Sequence, residues 1–263
     1  MFDKAQFEAT IQELEAGTLA LRGKLAEVGP ATAAATGQWW VTPPMAEVLQ
    51  WIGDKTVEIG TALLNWILDL LKGATAPIWM FLDAYRWMDI KGTANGVSTD
   101  LGTQNLVVDD TDWSGTGRDA YLAAAGAQVN AAGRVGSIAS GTSLNLLACA
   151  GAGLAFYVAL AAILAQLIAK VVAAIAAIGS GWFSWAGAAL IVESVGVSSA
   201  AIWTAVGTLA AFLGAQATAM VTLHGDAVDP GSFPNGVWPK SNTHLYSDAT
   251  VDDGDADWSL KGR

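Results

Sequence analysis

Residues 135–225 carry only two charged side chains, Lys170 and Glu193, whereas residues 1–134 carry nine Lys/Arg and sixteen Asp/Glu. A run of some ninety residues with almost no charge must be hidden from water, either in protein or in lipid. This segregation explains how a chain of 263 residues combines a net charge of −11 with a positive mean hydropathy of +0.40. The acidic balance repels a phosphate backbone and argues against nucleic acid as a partner. The single cysteine, Cys149, has no second thiol with which to form an internal disulfide or a zinc site.

The polar half reads as helices with packing stripes. Phe7, Ile11, Leu14, Thr18, Leu21, Leu25 and Val28 recur at steps of four and three, a heptad seam over residues 2–29. Pro30 is expected to end that helix, because proline lacks the amide hydrogen and disfavours helix in the residue before it. After Pro43-Pro44 a second seam follows with Leu49, Ile52, Thr56, Ile59, Leu63, Trp66 and Leu70. Two seams of similar length predict an antiparallel pair. Pro77 is placed to start a third helix, and the Gly/Thr/Asn/Asp-rich stretch from about 92 to 112 is expected to be a loop. Trp79, Tyr85 and Trp87 read first as packing residues and, if exposed, as anchors at a membrane interface.

In the apolar half, Ala161, Ala165, Ala169, Ala173 and Ala177 recur every four residues, and Gly207, Ala211, Ala215 and Ala219 repeat that step. Each set lines a helix face suited to close backbone approach, so the two faces are expected to pack on each other. Leu160, Ile163, Leu164, Leu167, Ile168, Val171, Val172, Ile175 and Ile178 form the bulky opposite side. Gly179-Ser180-Gly181 supplies a turn, and Trp182, Phe183 and Trp185 follow it, aromatics of the kind that settle at a bilayer boundary with Trp203. Residues 146–169 and 200–223 are free of charge and meet the length of roughly 20 residues that a bilayer requires. A helix over 144–178 would run about 52 Å at 1.5 Å per residue, past the hydrocarbon thickness, with Lys170 at its exit. An Ala/Gly-rich pair buried in a soluble oligomer satisfies the same pattern.

The expected fold is therefore all-α, built of long antiparallel helical hairpins. The expected segments are an amphipathic helical region (1–91), an acidic loop with a Trp-x-Gly turn and helix (92–143), an apolar hairpin (144–225) and an acidic tail (226–263). The start of the chain shows neither the basic n-region nor the apolar core of a cleavable secretory signal.

At the junction of the halves stands Asp109-Asp110-Thr111-Asp112-Trp113-Ser114-Gly115-Thr116-Gly117-Arg118-Asp119-Ala120-Tyr121. Physically it reads as a helix entry, with Thr116 and Asp119 spaced as a cap and Gly115 allowing a sharp turn beside an indole. Trp113, Gly115 and the following Tyr121 resemble the Trp-x-Gly turn and succeeding aromatic of the WXG superfamily of type VII secretion substrates. The order of heptad helices, this turn, apolar helices and a polar tail over residues 1–225 resembles the longer Esp-type actinobacterial members. That resemblance implies secretion by a non-Sec route, helical architecture and engagement with secretion machinery or a chaperone. The family's Tyr-x-x-x-Asp/Glu export element has its spelling in Tyr85 and Asp89, although these precede Trp113 rather than follow it.

Catalytic chemistry has little support. His224 and His244 lack metal-ligand spacing, Asp253, Asp255 and Asp257 lack the glycine and twelfth-position acid of a calcium loop, and no nucleophile elbow or phosphate loop is present. No cofactor or metal is expected. Three readings remain: an exported helical protein that acts on membrane lipid, self-assembles as a homo-oligomer or forms a pore; a soluble ring, tube or filament; and a resident membrane accessory protein or small channel.

Overall fold

The computed structural model describes residues 3–102, 106, 114–180 and 185–240, with side chains at all of these except 180–198. Helices α1 (Lys4–Thr36), α2 (Pro43–Leu71), α3 (Ala76–Asp100), α4 (Thr116–Ser180) and α5 (Trp185–Ala227) are followed by a short 3₁₀ turn, Pro234–Gly236. No strand occurs among the described residues, so the fold is all-α. The contacts divide the chain into two compact units that cut across the linear charge pattern, one of residues 1–81 and 147–216, the other of 82–146 and 217–263.

In the first unit Asp3 caps α1, its carboxylate accepting from the amides of Ala5 and Gln6. The seam of α1 is buried as its spacing predicts, through Phe7, Leu14, Thr18, Leu21, Leu25 and Val28, with Thr10 taking the fully covered position beside a half-buried Ile11. Pro30 does not end the helix. The seam continues through buried Thr32 and Ala35, so burial against α2 compensates the backbone bond that proline cannot make, and the helix stops only at Gly37.

The α1–α2 pair is antiparallel with a close approach. A Cβ on Gly53 would stand 2.5 Å from Thr32 Oγ1, and one on Gly60 would stand 2.5 Å from Leu25 Cδ2. These contacts are seven residues apart on both helices, one heptad of matched register. Their insertion rotates the buried face of α2 from the expected Ile59, Trp66 and Leu70, which are half-buried, toward Leu64 and Ile67.

Helix α4 lays its bulky stripe, Leu154, Tyr157, Leu160, Leu164, Leu167, Val171 and Ile178, into the same core. Phe7 meets Tyr157 edge-on at 5.6 Å and Gly17 faces Leu164, so α1 and this part of α4 run parallel. The Tyr157 hydroxyl donates to the Leu70 carbonyl at 2.9 Å, closing the end of α2. From α5, Ile202 is fully buried, and Ala205, Val206 and Leu209 lie half-buried against the core.

The second unit is held by small and polar side chains. Helix α3 continues through 92–100, where a loop is expected from composition, because its hydroxyls bond within the helix and across it. Thr93 and Thr99 bond the carbonyls of Asp89 and Asn95, and Ser98 bonds that of Val129. Ser143 Oγ donates to Ala84 O at 2.8 Å, Lys91 Nζ to Ser140 Oγ at 3.2 Å, and Gly136 faces Asn95. These contacts set α3 antiparallel to the first part of α4. Arg134 pairs with Asp226 at 2.6 Å and Gly141 faces Leu223, which places the end of α5 antiparallel to α4 as well.

Glycine-to-alanine exchange will have opposite signs at two positions. Gly23, where an added Cβ would meet nothing within 4 Å, gains helix propensity, and Gly23→Ala raises stability by about 0.5–1 kcal/mol. Gly53→Ala displaces Thr32, whose hydroxyl is fixed to Val28 O, and lowers stability by about 1–3 kcal/mol in chemical denaturation.

Candidate functional site

The feature with most functional content is the surface left by the two apolar helices. Two helical segments, Thr116–Gly179 and Ser199–Ala227, are long and apolar enough to cross a membrane. In the most apolar 18-residue stretch of the first, 33% of the residues are buried, and in that of the second none is. A core helix of a water-soluble bundle hides such a stretch on all but one side. Here the greater part of α5 within residues 199–227 is open, including Trp203 at 64% exposure, Val221 at 70% and half-open Leu213 and Met220.

Trp203 is held by a tilted ring contact with Trp66 of α2, centroids 4.6 Å apart, so the indole lies against the bundle while most of its surface stays outside. Lys170 is half-buried on α4, one residue before buried Val171.

The small-residue faces lie elsewhere than expected. Ala161 is buried and Ala177 half-buried, but Ala165, Ala169 and Ala173 are exposed. On α5, Gly207, Ala211 and Ala215 are exposed and Ala219 is half-buried. The two faces therefore do not pack on each other within the chain. The reason is energetic: burying the leucine and isoleucine side of α4 removes far more apolar area from water than burying methyl groups would. Close approach through small residues occurs instead between α3 and α4, at buried Ala84, Ala94, Ala132 and Ala139 and at Gly136, Ser140 and Ser143. Sequence reasoning passed over that interface; the signal was the alternation of Ala, Gly and Ser through residues 131–143.

Of the junction motif, Trp113 lies outside the described residues. Gly115 has φ +102°, a conformation that glycine adopts without penalty, and its carbonyl accepts from the Asp119 amide. The entry residue is thus Gly115, one position before the expected cap Thr116, which is the first residue of α4. Tyr121 is exposed near the start of α4. Tyr85 and Asp89 stand one turn apart on the exposed side of α3, opposite buried Ala84. Asp89 also borders an open groove of about 350 Å³ lined by Ile90, Ala94, Val97, Val135 and Trp238. Trp182 lies outside the described residues, and Trp185 is the first residue of α5, its side chain outside the described ones.

Among the described residues no three His, Cys, Asp or Glu side chains stand close enough to share a metal. His224 is exposed in the last turn of α5, and Cys149 is half-buried. Comparison of the chain with protein-family models, with curated proteins and with solved structures finds no match.

The burial pattern separates the two sides of α4. Leu164→Ala removes a fully covered side chain and will cost about 2–5 kcal/mol of folding stability. Ala169→Leu and Ala211→Leu, at open positions, will change it by less than about 0.5 kcal/mol. Urea titration followed by circular dichroism measures all three.

Proposed function

We propose that this chain is an exported helical protein of the WXG type VII kind that acts by applying its open α4–α5 surface to membrane lipid. The observation that carries the reading is the most apolar 18-residue stretch of α5, past the fully buried Ile202, none of whose residues is buried. Apolar burial is worth about 25 cal/mol per Å², so an uncovered helix of this composition is driven to a nonaqueous environment. Lipid suits it because the surface is continuous along the helix and free of charge from residue 199 to 223. The glycine entry at Gly115, the exposed Tyr121 and the hairpin architecture agree with the Trp-x-Gly resemblance, which supplies the export route.

A specific observation favours a second reading. The exposed small faces, Ala165, Ala169 and Ala173 on α4 and Gly207, Ala211 and Ala215 on α5, allow close approach by helices of another copy, as in a soluble ring or filament. Flotation of the full chain with phosphatidylcholine vesicles decides between them. Migration with the vesicles supports the lipid reading; a chain that remains at the bottom of the gradient as a large assembly supports the second, and a soluble monomer refutes both. For the export route, Trp113→Ala will abolish secretion from the producing cell while leaving helicity unchanged. Undiminished secretion of that variant would falsify the WXG assignment.

A further inference from the structure

One end of the first unit differs in chemistry from the rest. The α1–α2 turn, Gly37–Thr42, sits inside a run from Val28 to Ala46 that contains no charged residue. Trp39 at its apex is 93% exposed, Trp40 is 38% exposed, and Met45 is open beside them. The two prolines of the first turn of α2, Pro43 and Pro44, fix the departing backbone, so the tryptophans stand on a stiff support. At the other end of the hairpin the pattern reverses: Asp3, Lys4, Glu8, Asp69 and Lys72 cluster there, with ion pairs Lys4–Glu8 and Lys72–Asp69. The hairpin is thus polar at one end and aromatic at the other.

Because α1 and this part of α4 are parallel, the turn lies at the end of the unit where α4 stops, sixteen residues beyond Leu164 at Ser180. From Gly17 to Thr36 is nineteen residues, so at 1.5 Å per residue the two helices end within about 5 Å of each other along the axis. The tryptophan turn therefore shares an end with the apolar helical pair.

We infer that the α1–α2 turn is an interfacial anchor that seats this end of the unit in the headgroup region of a zwitterionic bilayer, with Trp39 and Trp40 as the inserting side chains. Indoles concentrate at the membrane–water boundary because a large apolar ring and an N–H group match a region that is apolar on one side and wet on the other. Insertion is shallow. Exposed Glu47 stands four residues past Pro43, about 6 Å along the helix axis, and charge at that level keeps the turn within the roughly 5–10 Å of interfacial burial. The net charge of −11 and the absence of a cation from the turn point to neutral rather than anionic lipid. The second-copy alternative is less well matched, since a rim of paired charges and a flat stripe, rather than a lone projecting turn, characterises self-association of helices.

The inference rests on the lipid reading above, and the test separates the two. In the full chain with Cys149→Ser, exposed Gln38→Cys carries an environment-sensitive fluorophore, and phosphatidylcholine vesicles are titrated in. The expected result is a blue shift of the fluorophore on vesicle addition. In addition, Trp39→Ala with Trp40→Ala will weaken vesicle binding about 10-fold or more, while Trp51→Ala, an exposed tryptophan one turn past Glu47 on α2, leaves it unchanged. Flotation of the chain without a shift, or with full affinity in the double variant, overturns the anchor and leaves the lipid reading standing. A chain that does not float overturns both. A shift that appears without vesicles and grows with protein concentration assigns the turn to a second copy and also overturns the anchor.

Discussion

Everything in the first unit depends on the one-sided burial of α4. Its leucine and isoleucine stripe needs a partner surface, and the α1–α2 pair supplies one by bringing two backbones close at Gly53 and Gly60 and a third at Gly17. Glycine costs up to about 1 kcal/mol of helix propensity at each position, and the return is interdigitation of Thr32, Leu25 and Leu164 where a methyl group would collide. Burial of one stripe fixes the rotation of α4 about its axis. Whatever lies on the remaining faces, including Ala165, Ala169 and Ala173, is left outside as a consequence.

The two units obtain their cohesion by different physics. In the first, large side chains such as Phe7, Ile52, Leu160 and Ile178 are fully covered, and the buried α1 hydroxyls of Thr10, Thr18 and Thr32 bond carbonyls of their own helix. In the second, alanines and serines allow close packing with cross-helix hydrogen bonds, and the partly buried Arg134–Asp226 pair ties α5 to α4. An apolar seam tolerates sliding by a heptad, whereas a Ser143–Ala84 bond and an Asn95–Gly136 contact specify one register. The register of α3 on α4 is thereby set by polar groups rather than by area.

The helices were legible because heptad spacing is a property of sequence alone. The α1 seam from Phe7 to Val28 is buried nearly residue for residue, and the apolar half is helical throughout its described part. Three features were not legible. Pro30 within α1 and the helical stretch 92–100 run against local preference, and each is retained by contacts distant in sequence, Thr32 on Gly53 and Ser98 on Val129. Which face of an apolar helix turns inward is likewise undetermined by its own sequence, since Ala and Leu stripes both avoid water. The bulky stripe of α4 prevails once a complementary hairpin is present, and that hairpin begins more than a hundred residues earlier. Of the candidate site, the apolar segments were readable, but the exposed turn at Trp39 was not, because tryptophans following a proline-containing helix end resemble core residues until their surroundings are known.

Residues 199–216 of α5 are lightly anchored in the first unit. Their hold on the core is a short stripe of Ile202, Ala205, Val206 and Leu209, assisted by the Trp66–Trp203 contact. Detaching this segment uncovers fully buried Ile202 and the half-buried Ala205, Val206 and Leu209 that pack on the core, a smaller loss than detaching α4, whose stripe is covered from Leu154 to Ile178. Local opening follows the number of buried apolar contacts, so residues 199–216 of α5 separate from the first unit's core at lower free energy than the bundle unfolds. A helix that is apolar on every side and weakly held on one is stable in water only to the extent of that one stripe. On the proposed lipid reading, transfer of this segment covers its open faces and forfeits little, whereas α1 and α2 are unsuited to hydrocarbon because Arg22, Lys24, Glu27, Asp54, Lys55 and Glu58 lie along their middle turns.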